Sequence, residues 1–112
     1  MTDDRIPTSL WVEIHLRQLT TEGVPYYILN KGAPASGTVL LKINGRENGC
    51  LLLQQQRDAI GIMGWLKLFK DKAVEESEID AYIARAVSRD PDVWVLEIED
   101  RTLKNPFEGK VF

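Results

Sequence analysis

One cysteine, one histidine and no long apolar run remove most familiar chemistries from this chain of 112 residues. Cys50 has no partner for an internal disulfide, a Cys-X-X-Cys redox pair or a zinc ribbon, and an isolated thiol suits a reducing cytoplasm. With His15 as the sole imidazole, most His-dependent triads and multi-histidine metal sites are excluded. Charge interrupts the apolar stretches within about eight residues, against the roughly twenty needed to span a bilayer, and the opening MTDDRIP lacks the basic start and apolar run of an export signal. A cytoplasmic protein with no membrane contact is expected. Basic charge is also short: 14 lysines and arginines face 17 acidic residues, and residues 57–112 hold the whole acidic excess, nine basic against twelve acidic. General attraction to nucleic acid is therefore disfavoured. The glycines show neither G-x-G-x-x-G nor Walker spacing, so no phosphate cradle is expected.

What is there fits one domain over residues 1–112, long enough to bury a core without a disulfide or metal staple. Pro7 and the Thr8-Ser9 hydroxyls open a helix over about Ser9–Glu22, which Gly23 and Pro25 close. Tyr26–Leu29 has strand composition, and Gly32–Gly37 is a loop. Thr38–Asn44, Cys50–Arg57 and Ile62–Leu68 form an antiparallel meander punctuated by turns at Gly45–Gly49 and Arg57–Gly61. Ile79, Tyr82, Ile83, Ala86 and Val87 recur at helical spacing within Glu75–Arg89, Asp90-Pro91 stops that helix, and Val93–Glu99 switches to a period of two. Asn105-Pro106-Phe107 packs its ring back on the domain. The fold class is α+β: a mainly antiparallel sheet of about five strands with two helices, in the order helix, four strands, helix, strand.

Each chemical candidate competes with a plainer role. His15 points into the apolar face of the first helix, where a half-buried imidazole bonded to backbone is favoured over proton transfer. Cys50 opens a leucine-rich strand with no adjacent cation, as a packed thiol would. Glu97 and Glu99 share one face of the last strand and could hold a cation or divide acid and base work. Trp94, Leu96 and Ile98 on the other face equally explain that strand as apolar-in and charged-out. Arg85 and Arg89, one turn apart, and Arg101 could hold an anion or pair with these carboxylates, with surface ion pairing as the plainer role. Gln54-Gln55-Gln56 suits a strand leaving the core. Trp65, Lys67 and Phe69, with Lys70 and Lys72 beyond, interleave aromatics with lysine as an RNA surface would, though core aromatics beside a solvated loop explain them better.

The opening Arg5–Glu13, the Gly37–Lys42 strand and above all Asp80–Arg85 with Arg89–Arg101 (RDPDVWVLEIEDR) resemble DUF1491, an uncharacterised family of small proteins found chiefly in alphaproteobacteria. The resemblance covers nearly the whole chain. It implies a domain that stands alone and carries over no substrate, cofactor or catalytic residue.

No catalytic or metal-binding set is expected, nor any cofactor. The leading expectation is a small interaction module, self-associating through a sheet edge, with Arg85, Arg89, Glu97, Glu99 and Arg101 as its contact or ligand residues. The alternative is an enzyme that uses Glu97 or Glu99 with Arg85, Arg89 or Arg101 on an anionic substrate. RNA contact ranks third.

Overall fold

The structure, a computed structural model, describes residues 6–69 and 72–112; Lys70 lies outside them. Helix α1 spans Thr8–Glu22 and ends where Gly23, at φ 75°, adopts the left-handed conformation and donates its N–H to the carbonyls of the last turn. The expected hydroxyl cap is not used: Pro7 occupies the cap position, and Thr8 Oγ1 reaches the Gly37 carbonyl instead (3.5 Å). Strands β1 (Tyr26–Asn30), β2 (Val39–Asn44), β3 (Cys50–Arg57) and β4 (Met63–Lys67) follow, then α2 (Glu76–Arg89) and β5 (Trp94–Glu99). No helix among the described residues is long and apolar enough to cross a membrane.

The sheet order is β1-β5-β2-β3-β4. The β2-β3-β4 meander is antiparallel as expected, but β5 enters between β1 and β2, antiparallel to β1 and parallel to β2. The sheet is therefore mixed rather than mainly antiparallel. The cause is α2: a helix laid across the sheet carries the chain from the end where β4 stops back to the end where β4 began, so β5 runs in the same direction as β4 and β2.

Insertion between β1 and β2 buries β5 on both faces. Trp94, Leu96 and Ile98 join Val39, Leu41 and Ile43 beneath α1, which contributes Val12, Leu16 and Leu19. Val93 and Val95 lie on the opposite face, against Ile79 and Ile83 of α2. The apolar-in, charged-out expectation for this strand is thus corrected: Glu97 is buried rather than solvated. Trp65 is also core, and Phe69 packs edge-on against Tyr82 at 5.8 Å, so neither ring is free to stack on a base.

The C-terminal segment folds back as expected. Phe107 stacks on Trp65 (5.9 Å) and meets Trp11 edge-on (5.5 Å). His15 completes this group, stacked on Trp11 at 4.1 Å with Nδ1 2.8 Å from the Trp11 carbonyl oxygen. It is half-buried and backbone-bonded. Residues 110–112 then pair with β4: Trp65 N–H donates to the Lys110 carbonyl (2.8 Å), and Phe112 N–H to that of Trp65 (2.7 Å). Gly64 permits the approach, since a Cβ there would strike the Lys110 carbonyl oxygen.

Candidate functional site

Two features rise above ordinary packing. The first is a polar cluster under α2. In β2, Lys42 and Asn44 are two residues apart and therefore share the α2 face, level with Glu97 and Glu99 of β5 in the parallel register. Glu76 and Asp80, one helical turn apart on α2, reach down to the same point. Lys42 Nζ donates to Glu76 (2.6 Å) and Asp80 (2.7 Å) and lies 3.5 Å from Glu97, with its side chain only 3% exposed. Asn44 Nδ2 donates to Glu97 (3.1 Å), while its Oδ1 accepts from the Arg46 N–H (2.9 Å) and the Cys50 thiol (3.7 Å).

Burial alone would depress the Lys42 pKa, but hydrogen bonds to Asp80 and Glu76 and the negative charge of Glu97 outweigh it and hold the ammonium above an ordinary lysine. Cys50 shifts the other way in reactivity: burial, with the Glu76 charge second, raises its thiol pKa and suppresses the thiolate. Cys50→Ala should accordingly leave self-association and ligand binding unchanged. A thiol reagent should label native protein far more slowly than denatured protein; equal rates would contradict the packed-thiol assignment.

The other candidate groups do not converge. Arg85 and Arg89 are exposed, and among the described residues neither bonds to Glu97 or Glu99. Glu99 instead takes Arg46 (3.3 Å), and Arg101 takes Glu47 (3.5 Å) at the surface. Among the described residues no three His, Cys, Asp or Glu side chains stand where they could hold a metal ion. Sequence reasoning passed over Lys42, Asn44, Glu76 and Asp80. The available signal was the alternation of Lys42 and Asn44 inside the otherwise apolar VLLKIN, with a matching i, i+4 acidic pair on α2.

The second feature is an asymmetry of the sheet edges. The β4 edge is occupied by residues 110–112, whereas β1 pairs only with β5 among the described residues. Along β1, Tyr27, Ile28 and Leu29 are about half exposed, and no charge occurs between Tyr26 and Asn30. Glu99 N–H donates to the Pro25 carbonyl (3.3 Å), which makes Tyr26–Ile98 a non-hydrogen-bonded pair. The backbone N–H and C=O of Tyr26, and of Ile28 two residues on, therefore point away from the sheet.

A mixed five-stranded sheet with one helix on each face, one closed edge and one open apolar edge defines a small two-faced α+β domain. The chain belongs to the family of proteins of unknown function DUF1491, whose model it matches over residues 6–108. It is 30% identical to a DUF1491 family protein from Caulobacter crescentus CB15, whose crystal structure superposes with a TM-score of 0.82 over 96% of this chain and 99% of that one. A solution structure of a DUF1491 family protein from the same organism gives 0.79, with 30% identity over 96% and 97% of the two chains. Protein Atu0922 from A. tumefaciens, 23% identical and covering 86% of each chain, shares the fold with a TM-score of 0.68. No curated protein matches the chain.

Proposed function

We propose that this protein is a small cytoplasmic interaction module that self-associates by pairing β1 with β1 of a second copy. The open edge carries the proposal: outward backbone groups at Tyr26 and Ile28 on an uncharged, apolar strand. Natural edge strands are usually blunted by charge, proline or a covering segment, and the β4 edge is covered by residues 110–112. On β1 the only such feature is the register shift between Ile28 and Asn30.

A second copy fits this edge because the strand is complementary to itself. A two-fold axis at Tyr27 sets Tyr26 opposite Ile28 of the partner subunit, so that each such pair exchanges two backbone hydrogen bonds. No like charges meet across this seam. Sheet-edge pairing in this way would join two five-stranded sheets into one.

Sedimentation analysis tests the proposal. Wild-type protein is expected to be dimeric and Ile28→Lys monomeric with an unchanged circular dichroism spectrum. Ile60→Lys, at a hairpin position 82% exposed and away from β1, should remain dimeric. A wild-type protein that stays monomeric at millimolar concentration, or dissociation by Ile60→Lys instead of Ile28→Lys, would refute it.

A further inference from the structure

We infer that β4 is a second interaction surface, held closed by residues 110–112, and that its partner once open is β4 of a second copy of this chain. Trp65 N–H donates to the Lys110 carbonyl (2.8 Å) and Phe112 N–H to that of Trp65 (2.7 Å), so both backbone groups of Trp65 point away from β3. Alternation along the strand turns those of Met63 and Lys67 the same way. Among the described residues neither makes a backbone bond on that side. Residues 110–112 thus satisfy the middle of this edge and leave both its ends open.

The cover is also lightly held. Two backbone bonds fasten it to β4, and the Val111 and Phe112 side chains remain 41% and 39% exposed. Its seat depends on a missing side chain: a Cβ on Gly64 would stand 2.5 Å from the Lys110 carbonyl oxygen and 3.1 Å from the Phe112 ring. The backbone of Gly64 lies outside the left-handed region, so β4 itself accepts alanine there. Of the two strands that such a Cβ would force apart, β4 is anchored along its length by β3, and the covering segment is the one that yields.

A second copy fits the opened edge because β4 is complementary to itself. A two-fold axis at Trp65 sets Trp65 opposite Trp65 of the partner subunit, and Met63 opposite Lys67 of the partner subunit, in antiparallel register. Each pair exchanges two backbone hydrogen bonds, which closes the ends that residues 110–112 leave open. Lys67 carries the one charge of Met63–Lys67, and this register holds the two ammoniums at opposite ends of the seam. A chain with β1 and β4 both open would assemble without limit, whereas one with β4 closed stops at a pair. Residues 110–112 therefore set the size of the assembly.

Sedimentation analysis of full-length Ile28→Lys beside Ile28→Lys/Gly64→Ala isolates β4, because a charge blocks β1 in both. The double variant is expected at twice the mass of the single variant, and hydrogen exchange should show its Phe112 amide no longer protected. With β1 pairing intact, Gly64→Ala alone should give a mass that climbs beyond the dimer with concentration. A monomeric wild type would refute β1 pairing and leave the β4 comparison standing, since that comparison is made without β1. A double variant of the same mass as Ile28→Lys at millimolar concentration, with its Phe112 amide exchanging freely, would overturn the inference. If that amide stays protected, or the double variant fails to fold, Ile28→Lys lacking residues 110–112 takes its place, and an unchanged mass there overturns the inference equally.

Discussion

Lys42→Ala is expected to cost about 3–5 kcal/mol, the usual consequence of removing one partner from a buried ion pair, and so to take a large part of the roughly 5–15 kcal/mol that holds a small domain folded. The cost arises less from the lost attraction than from what remains. Glu76 and Asp80 are about half exposed and can turn to water when their ammonium is gone. Glu97 cannot, because its side chain is 11% exposed on an interior strand, and Asn44 is left as its main donor. Lys42→Met should be only partly better, since it refills the volume but leaves the same uncompensated charge. Adding Glu97→Gln should then restore much of the stability: the amide oxygen still accepts from Asn44 Nδ2, and no buried charge is left.

Urea unfolding of the two single variants and the double variant measures this coupling. A double variant no more stable than Lys42→Met would remove the buried Glu97 charge as the cause. The linkage to pH has a definite sign. A lysine whose folded pKa exceeds its unfolded value of about 10.4 contributes fully below that pH and loses the contribution as pH rises through the folded value. Wild-type stability should therefore decline above about pH 10.4 more steeply than that of the Lys42→Met/Glu97→Gln protein. Parallel curves for the two would deny Lys42 that role.

The elements were legible wherever local chemistry sets them. Gly23, Gly45, Gly49 and the Asp90-Pro91 step bound helices and strands to within a residue or two of their observed limits. Membership in DUF1491 was legible too, in the RDPDVWVLEIEDR block and its companions. Sheet order was not, because pairing between β5 and β2 joins residues 55 apart and leaves no periodic trace in either strand. One clue was present in composition: Val93 to Leu96 is four apolar residues in a row, which fits a strand covered on both faces better than a half-exposed one. Weight on the alternation of Glu97 and Glu99 hid it. The polar cluster failed to emerge for the same reason. Lys42, Glu76 and Glu97 come from three elements, and only the placement of β5 beside β2 makes them neighbours.

Trp94→Ala should be comparably severe, about 3–5 kcal/mol, as expected when a large core aromatic is truncated. The indole is 3% exposed beneath α1, and its Nε1–H donates to the Ala33 carbonyl (2.8 Å). It also serves as the seat of the β1–β2 loop. Gly32 lies so close that a Cβ there would meet the Asp92 carbonyl oxygen and the indole Cδ1, and Ala33 N–H donates to the same Asp92 carbonyl (3.0 Å). Truncation thus opens a cavity and strips one loop carbonyl of its donor at once. Trp94→Phe separates these effects: it keeps most of the volume but not the N–H, and should cost about 1–2 kcal/mol, the range for a lost hydrogen bond with a small packing defect. Hydrogen exchange supplies a readout that global unfolding does not. In Trp94→Phe the Ala33 amide should lose protection while β2 and β3 amides keep theirs, since the loop is anchored by the indole N–H whereas β2 and β3 are held by backbone pairing within the sheet. Equal loss of protection across loop and meander would show instead that Trp94 acts only through the core as a whole.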